Sequence, residues 1–392
     1  MPRIDINTID YTRATAFDKS AQTVLVFGSE TGATGLDDKK IKLYISESDF
    51  TTNHAIATTM EKSNLIACRL LRLGFNVLFV PLAGTDAEAK TKLASLTEDN
   101  LKFLKDRSKY DFGFIETCVF LDVEGTESAT LKALADIAES RQDCILLVDV
   151  SEAKTTASDI YSACTNVPKS RYVATFTPAC EFKFTDDDTL KAKDFTLPAT
   201  FAFLSALGNG LQTSNIWMAF AGFERGEIPF LVKPTIEFGE LDCQVFTNDT
   251  TKDGGLENSS YSINPIALVS SDTYRVYGNR TMFVNPKGLV ASSFLNVATT
   301  CITITKELYK ASKKLTFEQN SDVLWVNFKA ELTPLLDQMV SGQGIEGYRF
   351  IKVPTDKRAT LKAKLRIIPI EAVEYFDLTL ELSDSIATVN VA

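Results

Sequence analysis

The final third of this chain carries three runs of alternating apolar and polar residues, and they constrain its fold more than anything before them. Leu361, Ala363, Leu365 and Ile367 alternate with Lys362, Lys364 and Arg366, while Phe376, Leu378, Leu380 and Leu382 alternate with Asp377, Thr379 and Glu381. A third run, Ile386-Ala387-Thr388-Val389-Asn390-Val391-Ala392, reaches the C-terminus. A period of two marks a strand with one buried face. Ile4 and Ile6 give a short extended segment at the other end. Strands at both free ends leave N–H and C=O groups unpaired, which soluble monomers avoid. Ile4, Ile6, Ile386, Val389 and Val391 are therefore expected to pair with strands of neighbouring copies. That pattern points to a polymer.

At 392 residues and 45% apolar content, the chain can bury a substantial core and is expected to hold two or three domains. A formal charge of -10 and a pI near 4.9 disfavour sequence-independent binding to nucleic acid. No apolar run approaches the roughly 18 residues that span a bilayer. The start, Met1-Pro2-Arg3-Ile4-Asp5, does not read as a signal peptide, so synthesis and folding in a cytoplasm are expected. Cys68, Cys118, Cys144, Cys164, Cys180, Cys243 and Cys301 are scattered without a C-x-x-C pair and read as buried free thiols, the odd count leaving room for a bridge between subunits. His54, the sole histidine, reads as a polar residue near a helix start, so no structural zinc site is expected.

From about residue 21 strands and amphipathic helices alternate. Thr23–Phe27, Phe75–Leu82, Phe112–Leu121 and Cys144–Val150 read as strands, with helices at 55–73 and 127–141 between them. This pattern predicts βαβ units and a mixed, largely parallel sheet. The polar stretch 248–255 marks a composition change, and the domain boundary is placed within 235–262. Beyond it, helices at 302–316 and 321–340 precede the strands, which gives an α+β domain. Trp325, Phe328, Leu332, Leu335, Leu336 and Met339 form one apolar stripe on the second helix and read as core.

Several motifs tempt an enzymatic reading. Leu25 to Thr34, with Gly28-Ser29-Glu30-Thr31-Gly32, resembles the flavin phosphate loop of flavodoxins, so a flavodoxin-like redox protein is the alternative function. That chemistry needs a helix opening at the loop. Here Gly35 to Lys40 intervenes with two aspartates, and Ile41 to Ile45 reads as another strand, so a glycine-rich turn is favoured. No Gly-Lys-Ser/Thr completes a P-loop, and no serine sits in a Gly-x-Ser-x-Gly elbow. Thr185-Asp186-Asp187-Asp188-Thr189 lacks the glycine and distal glutamate of a calcium loop and reads as a solvated acidic turn. No catalytic group, cofactor or metal is expected. Lys306, Lys310, Lys313 and Lys314 fall on one helical face, which is either a solvated surface or a face that docks on an acidic partner.

Ile263-Asn264-Pro265-Ile266, followed by Tyr274-Arg275-Val276-Tyr277-Gly278-Asn279-Arg280-Thr281, resembles the sheath proteins of contractile phage tails, whose pattern is an Ile-Asn segment and then Val-Trp-Gly-Ala-Arg-Thr-Leu. Phe317-Glu318-Gln319-Asn320 before Trp325 is similar to the family's Phe-Glu-Pro-Asn, and Gly344-Ile345-Glu346-Gly347-Tyr348 to its Gly-Ala-x-x-Gly-Tyr. Ile370 to Tyr375 sits where the family has Pro-Ala-Glu, and Phe220-Ala221-Gly222 where it has Pro-Ala-Asn. The strand ending at Phe50 and the helix before Gly74 match more loosely. Tyr277, Asn279, Gln319 and Gly222 depart from the family pattern.

The resemblance implies a structural subunit with no catalytic groups. Six copies per ring would stack helically around an inner tube protein and contract to drive the tube through a cell envelope. It also implies baseplate and tail terminator partners, no direct nucleic acid contact, no stable membrane insertion, assembly in a bacterial cytoplasm and residence in the virion. On this reading residues 1–20 form a linking arm, 21–260 an outer α/β domain and 263–384 an inner α+β assembly domain. Residues 385–392 form a linking strand, so that neighbours' terminal strands complete the inner sheet. Lys306, Lys310, Lys313 and Lys314 become candidates to face the tube.

Overall fold

The computed structural model describes residues 22–118, 123, 128–150, 154–247, 250–252, 255–257, 260–270, 273–355 and 359–374. In chain order the first elements are β1 (Thr23–Ser29), β2 (Lys42–Tyr44), α1 (Glu47–Asn53), α2 (Lys62–Arg72), β3 (Asn76–Ala83), α3 (Asp86–Ala94) and α4 (Glu98–Leu101). Next come β4 (Phe114–Glu116), α5 (Ser128–Arg141), β5 (Ile145–Asp149), α6 (Ala157–Ala163) and β6 (Val173–Thr177). A small sheet of β7 (Cys180–Phe182), β8 (Phe195–Leu197) and β9 (Leu231–Pro234) encloses α7 (Ala199–Gly210) and α8 (Gly222–Arg225) in the sequence. After α9 (Glu240–Thr247) come the hairpin β10 (Thr250–Lys252) and β11 (Gly255–Glu257), then β12 (Asn264–Ser270) and β13 (Thr273–Val276). The chain continues through α10 (Leu295–Lys314), α11 (Asp322–Ser341) and the hairpin β14 (Ile345–Val353) and β15 (Lys362–Pro369).

Eight strands form one sheet in the order β13-β12-β6-β5-β4-β1-β3-β2. Every pairing from β12 to β3 is parallel, and only the edge strands β13 and β2 run antiparallel. The sheet is mixed and largely parallel, as the alternation of strands and helices predicts. Val24, Leu25, Val26 and Phe27 are fully buried, so β1 is covered on both faces, which is why it reads as an uninterrupted apolar run. One cover is α2, which packs on α7; α3 packs on the sheet with α5.

Local details depart from the expected elements for identifiable reasons. The helix expected at 55–73 starts only at Lys62, as α2, and a separate helix, α1, lies before the expected span. Ser46 caps α1 by accepting from the Asp49 N–H, and His54 closes that helix at its C-terminal end, not near a start. The strand expected to reach Phe50 therefore stops at Tyr44, and Phe50 is a buried residue of α1. Helix α10 begins at Leu295, well before the expected residue 302. Its cap comes from Asn279, whose backbone and side-chain carbonyls accept from the N–H groups of Leu295 and Asn296 at 2.9 and 3.1 Å. Thr299, Thr300 and Thr303 in its first turns return their hydroxyls to backbone carbonyls, which hides a polar-looking stretch inside a buried helix.

The expected break between residues 260 and 263 does not fall there. β12 lies parallel to β6, pairing Asn264 with Phe176 and Pro265 with Thr177, so residues 264–276 extend the large sheet. Asn264 knits this seam: its amide donates to the Thr175 and Arg280 carbonyls and its oxygen accepts from the Arg280 N–H. Within the polar stretch before it, Thr250–Lys252 pairs antiparallel with Gly255–Glu257 as the β10–β11 hairpin.

A second, smaller core gathers Phe328, Leu332, Leu336 and Met339 of α11 with Ile304 and Ala311 of α10 and with Trp217. Trp325, Tyr348, Phe350, Leu365 and Ile367 pack at its rim, so the apolar stripe on α11 and the first alternating run are core as expected. Trp217 reaches this core from the segment between α7 and α8. Its ring lies over the turn after α11, where a Cβ on Gly344 would stand 2.7 Å from the indole, so only glycine fits.

Candidate assembly surfaces

The β14–β15 hairpin carries the most unusual surface. Its inner residues Tyr348, Phe350, Leu365 and Ile367 pack toward α11, and period two sends Arg349, Lys362, Lys364 and Arg366 to the outer face. Arg349 sits directly opposite Arg366, and like charges in such cross-strand pairs are destabilising. Among the described residues none of these four cations has a salt bridge, and Ile368 stands 58% exposed beside them. Both outer edges of the hairpin lack a strand partner among the described residues. Residues 370–374 after β15 are tied down: Ile370 donates to the Gly344 carbonyl, Asn296 donates to the Ile370 carbonyl, and Glu374 pairs with the buried Arg280. Ile4, Ile6, Ile386, Val389 and Val391, expected to link subunits, lie outside the described residues.

The lysine face is corrected in part. Lys306 is 3% exposed, with its ammonium bonded to the Asp111 carboxylate and, at 2.9 Å, to the Phe112 carbonyl, so it is not on a surface. A helical wheel cannot see that α10 is wrapped by the first core at this turn. Lys310 is half-buried and pairs with Glu307 at 3.0 Å, and burial pushes its ammonium down to about 8. Lys313 and Lys314 are exposed, Lys314 beside Glu331. The strongest basic face is on the hairpin, visible in the sequence as Lys362, Lys364 and Arg366 but read there only as the polar side of a strand.

A polar cleft of about 710 Å³ opens at the carboxyl ends of β1 and β3, lined by Ser29, Lys42, Tyr44, His54, Glu61 and Asn64 among others. The central order β3-β1-β4-β5-β6 is that of doubly wound flavin-binding folds. The anion seat, however, is filled. Asp86 accepts from the Ser63 N–H in the first turn of α2 and from the hydroxyls of Ser29 and Ser63 at 2.7 and 2.6 Å. A carboxylate already occupies the place a phosphate would take, and β1 leads into a turn and β2 with no helix between. The flavodoxin alternative finds no support.

Other sequence candidates are spent on packing. His54 stacks on Phe50 at 4.4 Å with Phe79 and Tyr44 around it, and burial pushes its imidazole pKa down. Asp186 and Asp187 bind Arg69 and Arg72, tying the acidic turn to α2 where a fully solvated loop is expected; Asp188 alone is solvated. All seven cysteines are free thiols and all but Cys301 are buried, with burial pushing Cys68 and Cys144 up to about 12. Sequence reasoning missed Glu116, a fully buried carboxyl at the end of β4. Its Oε1 accepts from the Cys118 N–H at 2.6 Å and the Thr200 hydroxyl at 3.0 Å, and burial raises it to about 8.

No family model matches the chain. The tail sheath protein of Enterobacteria phage T4 is 24% identical over 327 residues, which cover 78% of this chain and 47% of that protein. The chain is similar to a contractile tail sheath protein. It spans about half the length of the curated sheath protein it matches. The sheath fold extends over nearly all of it. A chain of the anti-feeding prophage baseplate superposes with a TM-score of 0.66 at 14% identity, covering 93% of this chain and 94% of that one. A chain of the contracted sheath complex of PVC, an extracellular contractile injection system, superposes with a TM-score of 0.65 at 12% identity over 99% and 98%.

Proposed function

We propose that this protein is the structural subunit of a contractile sheath, of a phage tail or a related injection particle, and that it performs no catalysis. The observation that carries this reading is the coverage of almost the whole chain by a chain of a contracted sheath complex. Copies would form six-membered rings stacked around an inner tube, with baseplate and terminator proteins at the ends. Contraction would pass from a metastable extended lattice to a compact one, the rigid parts turning about short linking segments. No direct nucleic acid contact or membrane insertion is part of this reading; among the described residues no helix is long and apolar enough to cross a membrane. Assembly would take place in the bacterial cytoplasm before the particle acts at a target envelope.

In this scheme the open edges of the β14–β15 hairpin accept strands of neighbouring copies through residues around Ile4, Ile6, Ile386, Val389 and Val391. Each added strand contributes several backbone hydrogen bonds of about 0.5–1.5 kcal/mol net. Deleting residues 386–392 should leave folded monomers that form no rings or striated tubes by negative-stain microscopy. Normal sheaths from the shortened chain would remove the linking role.

The basic outer face of the hairpin, with Lys313 and Lys314, would meet the tube. Lys306 is excluded from this test because a carboxylate there would face Asp111 and Asp143 in the interior. Lys364→Glu with Arg366→Glu should weaken tube-templated assembly at least tenfold while leaving the thermal midpoint within a few degrees, since both side chains are exposed. Unchanged assembly on the tube would assign this face elsewhere.

A further inference from the structure

Helix α10 passes from one core into the other. Leu295, Ala298 and Ile302 belong to the large core, whereas Ile304 and Ala311 belong to the second. Lys306 lies where the helix changes sides. Besides Asp111 and the Phe112 carbonyl, its ammonium has the Asp143 carboxylate at 4.0 Å. Asp143 is held by Arg141 at 2.8 and 3.2 Å and by Arg107 at 3.7 Å. Arg141 is itself buried, donating to the Leu104 and Tyr110 carbonyls with its guanidinium 4.1 Å from the Phe112 ring centroid. Arg107 reaches back to α10 over the ring of Tyr309. Asp111 and Phe112 lead into β4 and Asp143 into β5, so the lysine plugs into the amino-terminal edge of the two middle strands.

A buried ion pair is a poor stabiliser compared with an apolar side chain of similar size, but its geometry is directional. An apolar residue at 306 would hold α10 against the sheet in several rotational settings; this cluster accepts one. We propose that Lys306 is an angular pin that fixes α10, and with it the second core, at one orientation to the sheet, so that the two cores turn as a single lever. The proposal concerns the single subunit and holds whatever it assembles into.

The measurement is the distance distribution between spin labels at Lys92→Cys on α3 and Asn327→Cys on α11, both exposed positions, in a Cys301→Ser background. Lys306→Met should at least double the width of that distribution while the thermal midpoint stays within a few degrees. Asp143 keeps its arginines and Asp111, 39% exposed, can take up water, so the fold has no reason to fail. An unchanged width would overturn the pin. If Lys306→Met does not fold, Asp111→Asn removes the direct partner at a half-exposed position and should broaden the distribution in the same direction. No broadening there, or failure of both variants to fold, would make the cluster ordinary core and overturn the proposal.

Discussion

Trp217→Ala should detach the second core from the first, at a cost of about 3–5 kcal/mol. The indole is 1% exposed and contacts both α11 and the turn that follows it. Its Nε1–H donates to the Gly342 carbonyl at 2.9 Å, and the alanine leaves that acceptor without its donor. Gly342 and Gly344 have no side chains to collapse into the space, so the cavity persists. The chain has only two tryptophans, so Trp325 at the rim of the second core becomes the sole source of tryptophan emission under selective excitation. Its urea transition should precede the far-ultraviolet circular dichroism transition, which follows the large sheet. Coincident transitions at the wild-type midpoint would show that Trp217 fills space without joining the cores.

Glu116→Gln should stabilise the protein above neutral pH and flatten its alkaline decline. Burial is the first cause of the raised Glu116 value of about 8, opposed by the bonds from Cys118 and Thr200. The folded protein therefore holds a proton that the unfolded chain has already released above about pH 4–5. Stability tied to this group is complete below that range and is lost as pH rises through about 8. The loss is on the order of a few kcal/mol at full ionisation. Glutamine keeps an acceptor for both donors and carries no charge. The two proteins should melt together near pH 4, diverge as pH rises to about 8 and keep a constant separation above it, the variant higher. Parallel curves would mean that Glu116 is ionised in place.

Features fixed by short-range pattern were legible in the sequence. The buried strands around Val24–Phe27 and Leu146–Val148, the stripe on α11 and the alternation from Leu361 to Ile367 all follow from local periodicity. What failed to show depends on residues far apart. The start of α10 is capped by Asn279, the partner of Lys306 is Asp111, and the seat of Trp217 is a glycine turn more than a hundred residues downstream. The polar stretch that signalled a boundary holds the paired strands β10 and β11, and β12 returns to β6 beyond it. Of the candidate assembly surface, the motifs gave the resemblance to sheath proteins, whereas the basic face emerged only once β14 was paired with β15 and Arg349 came opposite Arg366.

The strap that carries Ile216 and Trp217 has a consequence for inheritance. Because a piece of chain from between α7 and α8 completes a core whose other parts come from beyond residue 300, the C-terminal body is not a transferable module. A crossover anywhere between residues 218 and 300 would join the glycine turn of one lineage to the tryptophan strap of another. Such hybrids survive only if both parents match at that seat, so sequence drift at Trp217, Gly342 and Gly344 should be concerted.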